Sequence, residues 1–190
     1  WARERSLGGV MAAGAKAAAS VSRMEGLRGL AMPSHGHGRP CVITRRATFS
    51  ASHLYWLPEL SDDDNRARFG PCSIAPGHGH NYELIVAMAG PLDADGMVLN
   101  LSEVKHAIRS EVTAQLDFRF LNETWPDFDL TRPQGCLPTT EALGLAIWRR
   151  LQPQLPLMGL RLYETDKLWA DVLGDSMEAF LTIKTHFAAA

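Results

Sequence analysis

The chain has 190 residues, enough for one sizeable hydrophobic core and too few for two independent ones. Its 19 Lys and Arg stand against 21 Asp and Glu, a formal charge of −2 that excludes a whole-molecule grip on nucleic acid, and no run approaches the roughly 18 apolar residues of a membrane span. The three cysteines, Cys41, Cys72 and Cys136, cannot all pair within one chain and lack zinc-knuckle spacing, so a reducing, cytoplasmic setting with one reactive thiol is expected.

Residues 1–40 are rich in Ala, Gly, Ser and Arg, with Glu4 and Glu25 as their only acids, and carry no sustained period. Such a segment does not repay the entropy of ordering itself and reads as a disordered tail or upstream extension, with Met32 as a candidate start and an organelle leader as the alternative. His35 and His37 lie in it without a flanking strand. A single domain is expected over 41–190. Its first strand region runs from Cys41 to Leu57, followed by a long polar loop in which Asp62 to Asp64 read as solvated surface. A strand over His80 to Ala89 then meets the turn signals Gly90-Pro91 and Asp95-Gly96, and Met97 to Leu99 would add a short ladder segment. Leu101, Val104, Ile108, Val112 and Leu116 form the stripe of a helix capped by Asn100. A second helix is expected from about Thr139 to Leu151, with Thr140 as its cap and Pro153 and Pro156 ending it. The last two runs, LMGLRLYETDKLWADV and MEAFLTIKTHF, read as a hairpin around Gly174-Asp175. The order strand, strand, helix, helix, strand, strand predicts an α+β domain, two helices on one face of a four-stranded antiparallel sheet.

The chemistry concentrates in FGPCSIAPGHGHNYELIVAM, Phe69 to Met88. If the strand begins near the histidines, the period of two puts His78 and His80 on one face, about 6–7 Å apart along the backbone. His53 lies on another strand-like run where Phe49, Ala51, His53 and Tyr55 share a face, so neighbouring antiparallel strands would bring it opposite the pair. Three neutral imidazoles suit zinc with a fourth position open; a polar turn leading into a sheet is the plainer alternative. Cys72, six residues before His78, sits on a loop able to fold over such an ion.

FSASHL, FGPC…GHGHNY, GMVLNLSEVK, LDFRFLNE, PTTE and YET, in this order over about residues 43–187, resemble the 6-pyruvoyl-tetrahydropterin synthase family, which also contains the 6-carboxy-tetrahydropterin synthase of queuosine synthesis. The resemblance implies a tunnelling fold whose sheets close into a barrel in a trimer, two trimers stacking as a hexamer with active sites between subunits. It implies a zinc-dependent lyase that converts 7,8-dihydroneopterin triphosphate to 6-pyruvoyl-tetrahydropterin and triphosphate. His53, His78 and His80 match the zinc ligands and Cys72 the catalytic thiol, while Thr139, Thr140, Glu141 and Glu164 fall in the motifs that hold the pterin. A carboxylate such as Glu164 accepts two N–H donors from the amino-pyrimidinone edge, and Cys72 needs a cation or histidine nearby to favour its thiolate.

One departure stands out. Where the family pattern has Asp-His, completing a proton relay with the cysteine, this chain has Asp117 followed by Phe118. Phenylalanine carries no proton, so Asp117 or another histidine, His106 or His186, would take over. Alternatively the chain makes 6-carboxy-tetrahydropterin or another side-chain-cleaved product, or it is an inactive pterin- and metal-binding relative. Ala142 replaces an Asn common among relatives after PTTE, and the spacing of Cys72 from His78 is that of the tetrahydrobiopterin-pathway type. Arg45, Arg46, Lys105, Arg109 and Arg119 are candidate phosphate contacts, each equally readable as ordinary surface.

Overall fold

The computed structural model describes residues 41–174 and 178–186; the expected N-terminal tail or leader, its two histidines, and Asp175 of the expected hairpin turn lie outside them. Strand β1, Cys41–His53, runs antiparallel to β2, His78–Gly90, in one unbroken register from Cys41 opposite Gly90 to His53 opposite His78. Strand β3 is only Arg119–Phe120, parallel to β1 at Ala51 and Ser52. Strands β4, Leu157–Thr165, β5, Leu168–Leu173, and β6, Glu178–Ile183, follow as antiparallel neighbours beyond β2, giving the order β3-β1-β2-β4-β5-β6.

The helices are α1, Asp62–Phe69, α2, Leu101–Ile108, the four-residue α3, Leu121–Thr124, and α4, Thr140–Leu151. Beyond α2 the chain widens into a π-turn, Arg109–Thr113, and closes with one more turn, Ala114–Leu116. Four of the five residues of the expected stripe are buried: Val104, Ile108, Val112 and Leu116 pack with Leu143, Ile147 and Leu151 of α4 over Leu84, Val86, Leu160 and Leu162 of the sheet, while Leu101, in the first turn, is exposed. Each such side chain contributes about 1.5–3 kcal/mol on leaving water, so these two helices and the central strands carry the stability of the domain. The other sheet face is more polar, with Arg161 of β4 bonded through two nitrogens to the buried Asp171 of β5 at 2.6 and 2.9 Å. No described helix is long and apolar enough to cross a membrane.

The α+β architecture follows the sequence pattern, and the sheet is wider than the four strands expected. The run LMGLRLYETDKLWADV is not one strand but the hairpin β4-β5, turning at Asp166-Lys167, where Thr165 Oγ1 accepts from Lys167 N at 3.2 Å. That turn contains neither Gly nor Pro, so nothing punctuates the run. Helix α1 occupies the stretch read as loop. It has no apolar stripe; Ser61 caps it by accepting from Asp64 N at 3.1 Å, three acids fill its first turn, and the buried Asn65 donates to Leu57 O, Leu60 O and Ser61 O. Met97 joins no ladder, because Asp93 Oδ1 takes its N–H at 2.8 Å in a turn. Asn100 caps α2 as expected, accepting from Ser102 N at 2.9 Å. The cap of α4 is Thr139, not Thr140, whose hydroxyl is engaged elsewhere.

Candidate active site

His53 ends β1 and His78 begins β2, and their pairing across the ladder sets two imidazoles edge to face at one end of the sheet, ring centroids 4.7 Å apart. His80, two residues on, adds a third from the same side, so one nitrogen from each ring lies within 4.8 Å of the others. The chain approaches this end through Gly77 at φ +98, where a Cβ would sit 2.3 Å from the carbonyl oxygen of His53; only glycine allows that approach.

His53 is fully buried. Burial, and then the neighbouring His80 and His78, pull its pKa from 6.5 down to about 4, so the ring is neutral at pH 7 with a lone pair to give. Its Nδ1 lies 3.3 Å from the hydroxyl of the buried Tyr82 and its Nε2 only 3.2 Å from Nε2 of His78. Two ligands of one tetrahedral zinc, each about 2.0–2.1 Å from the ion, stand roughly 3.3 Å apart, so the pair is spaced as ligands are. The tyrosine holds the far nitrogen as a supporting partner of a metal-bound imidazole does. His80 Nε2 is buried with no hydrogen-bond partner: Glu164 Oε1 is 3.2 Å away but out of line for a hydrogen bond. Burial lowers the His80 pKa, with Glu164 opposing and His78 assisting. The donor set therefore fits a divalent metal.

Beside the histidines the floor is acidic. Glu164, near the end of β4, is 7% exposed, and its second oxygen accepts a hydrogen bond from the hydroxyl of the buried Thr140 at the start of α4. Thr139 caps that helix and Glu141 lies half-buried in its first turn. Glu164 also acts electrostatically on Tyr55, Tyr82 and Cys72, so these groups share its neighbourhood.

Cys72 sits in a 3-10 turn, Gly70–Ser73, and its carbonyl accepts from Tyr55 N at 2.9 Å, which ties the thiol segment to the strand end carrying His53. Among the described residues no cation lowers its thiol; burial first, and Glu164 second, push it up. Asp117 is placed differently. It is exposed, and its Oδ1 accepts from the backbone N–H of Ser50 at 2.8 Å. Phe118 follows in the left-handed region, φ +55, 85% exposed, its N–H given to Ser50 O at 2.6 Å. Together with Arg119 and Ser50 it lines an open cleft that reaches His80. His106 lines another cleft with Leu99 and Gln154, and His186 is exposed near the described C-terminal end, so neither joins the histidine cluster.

Against known proteins, the sequence profile of the family described as 6-pyruvoyl tetrahydropterin synthase matches residues 42–175. The chain belongs to that family. It is 40% identical over 141 residues to a 6-pyruvoyl tetrahydrobiopterin synthase of Pongo abelii and 38% identical over 141 residues to that of Homo sapiens, each match covering 71% of this chain and 94% of the relative. The solved 6-pyruvoyl tetrahydropterin synthase of Caenorhabditis elegans superposes with a TM-score of 0.61 at 25% identity, over 80% of this chain and all of that one. The family match spans His53, Cys72, His78, His80, Asp117, the PTTE motif and Glu164.

The residues that sequence reasoning missed are supporting ones. Tyr82 was legible, since the period of two in HGHNY puts it on the face of His78 and His80. Asn122 was not: its side chain bonds both Leu54 N and Leu54 O, at 2.9 and 2.8 Å, and so pins the backbone beyond His53 from a distant segment.

Proposed function

We propose that this chain is the subunit of a zinc-dependent 6-pyruvoyl-tetrahydropterin synthase, a lyase acting on 7,8-dihydroneopterin triphosphate. The observation that carries the reading is the meeting of three metal-competent imidazoles with one buried, hydroxyl-bonded carboxylate on a single floor. Glu164 takes the amino-pyrimidinone edge of the pterin, and Thr140 orients its carboxylate by occupying one oxygen; Thr139 and Glu141 complete that wall. His53, His78 and His80 hold the zinc, which supplies Lewis acidity towards the hydroxyl oxygens of the substrate side chain. Cys72 moves the side-chain proton. In net terms the side-chain carbinol next to the ring becomes a ketone, its C–H and O–H hydrogens passing to one ring carbon and one ring nitrogen; the second side-chain carbon then loses a proton as triphosphate leaves the third by β-elimination, and the resulting enol becomes a methyl ketone. No external oxidant or reductant is required.

Because burial and Glu164 both disfavour the Cys72 thiolate, its activation needs positive charge brought by the bound ion or by a neighbouring copy. Three copies closing their sheets into a barrel, with two trimers stacked, would deliver Asp117 and the exposed Phe118 of one copy towards the site of another. The sheet's two edges, β3, which covers only Ala51 and Ser52 of β1, and β6, support that assembly.

Phe118 favours a second reading. With a hydrocarbon ring in place of a proton carrier, the intermediate would lose side-chain carbons, giving 6-carboxy-tetrahydropterin or a hydroxymethyl pterin. One run decides between them: zinc-loaded protein is incubated with 7,8-dihydroneopterin triphosphate, and product masses and released triphosphate are read together. A product keeping all three side-chain carbons is expected. A shortened product would establish the second reading, and bound substrate without turnover at any pH would mean an inactive relative.

A further inference from the structure

The chain leaves β1 at His53, and each of the next two residues is tied to a different distant segment. Leu54 is gripped by the side chain of Asn122, whose amide oxygen accepts from Leu54 N at 2.9 Å and whose amide nitrogen donates to Leu54 O at 2.8 Å. Tyr55 donates its N–H to Cys72 O at 2.9 Å. The short stretch of backbone that links a metal-competent imidazole to the thiol segment therefore runs through the one residue that Asn122 clamps.

Asn122 is anchored well enough to hold that residue still. It lies in the first turn of α3 beside the fully buried Leu121. The segment leading to it follows β1 in step: Asp117 and Phe118 bond the backbone of Ser50, and Arg119 and Phe120 pair with Ala51 and Ser52. Leu54 lies past the end of both the β1-β2 ladder and this strap, where a strand would leave its N–H and C=O to solvent. A carboxamide offers a donor and an acceptor side by side, as a neighbouring strand does, so Asn122 extends the grip by one residue.

We infer that Asn122 is a positioning residue for the reaction: by clamping Leu54 it holds His53 and the Cys72 segment in one frame. The inference rests on the synthase reading for what those two groups do, and on the two hydrogen bonds for how they are held. Asn122 acts through the backbone and touches no reacting atom. If Leu54 drifts, His53 turns away from the point where its nitrogen meets those of His78 and His80, and Tyr55 carries the thiol segment with it. The residues proposed to hold the pterin stand apart from this frame, around the start of α4 and near the end of β4.

The test compares the full-length chain with Asn122→Leu, which keeps the volume and removes both hydrogen bonds, and with Asn122→Asp, which keeps the acceptor for Leu54 N. All measurements are made at a temperature where circular dichroism shows every protein folded. Asn122→Leu should bind cobalt(II) about ten-fold more weakly, with a fainter four-coordinate visible spectrum, the scale on which outer partners of metal ligands act. Its kcat should fall about ten- to hundred-fold with KM unchanged, as a misplaced rather than missing group predicts. In the chain stripped of metal, peptide mass spectrometry should show Cys72 alkylated faster than in the unmodified chain and the exposed Cys136 at an equal rate. Asn122→Asp should recover part of each change. A variant that melts lower but keeps cobalt affinity, kcat and Cys72 alkylation overturns the inference. No cobalt binding by the unmodified chain would refute the metal and synthase readings, and equal Cys72 alkylation in the Leu variant would then overturn the positioning role as well.

Discussion

The histidine end of the β1-β2 ladder and the Asp117-Phe118 turn meet the same strand three residues apart, at His53 and Ser50, yet they are built in opposite ways. The first is buried, locally periodic and supported on every side: a strand register, a tyrosine behind one imidazole, a threonine behind the carboxylate. The second is exposed and strained, held by two backbone contacts to Ser50 and projecting an aromatic ring into solvent. The residues proposed to hold the metal and the pterin are completed within one chain, whereas Asp117, the proposed partner of Cys72 in moving protons, faces outward. A site divided this way tolerates change at the outward part, and that is where this chain departs from its family pattern.

The largest effect should come from breaking the buried side. His78→Ala is expected to abolish stoichiometric zinc and reduce activity below detection, and elemental analysis that still finds one zinc per subunit would remove His78 from the ligand set. Cys72→Ala should keep the zinc and slow turnover by about 10²–10⁴-fold, the scale of a positioned acid or base; a loss under ten-fold would mean that protons travel another way. Glu164→Gln should raise KM about 10- to 100-fold, corresponding to the roughly 1.5–3 kcal/mol of a hydrogen bond to a charged group.

Acid probes the same buried side in zinc-free protein. His53 has a folded pKa of about 4 against 6.5 when free, so the folded state binds fewer protons than the unfolded one between those values. Its neutral burial is fully tolerated above about pH 6.5, and stability falls as pH drops from there towards 4. Urea midpoints at pH 7 and pH 5 should show the decline, and a flat profile would place a proton acceptor beside the ring that the fold lacks. The smallest effect belongs to the exposed side. Phe118→Gly should stabilise the fold by about 1 kcal/mol, because glycine adopts φ +55 without the left-handed penalty and Phe118 buries little that would be lost. An unchanged or lowered melting temperature would show that the ring is held by contacts within the chain.

Much of this was legible in one dimension. The H-x-H spacing, the alternation through Phe49, Ala51 and His53, and the stripe of Leu101 to Leu116 are periodic signals, and periodicity is what a strand or a helix writes into its sequence. Helix α1 was illegible because it has caps and acids but no stripe, and the β4-β5 turn because Asp166-Lys167 carries neither Gly nor Pro and its one turn-forming residue, Asp166, stands alone. The π-turn at Arg109 leaves no mark in residue type.

The sequence by itself determined which side chains are chemically able to bind a metal or move a proton and which pairs share a face, since those depend on identity and short-range period. Only the tertiary structure decided which faces meet: that His53 stands opposite His78, that Thr140 turns from capping to hold Glu164, and that Arg45 joins Lys105 and Arg109 around one cavity. Each of these contacts joins residues more than twenty positions apart, and such pairings are set by the packing of whole elements around the core.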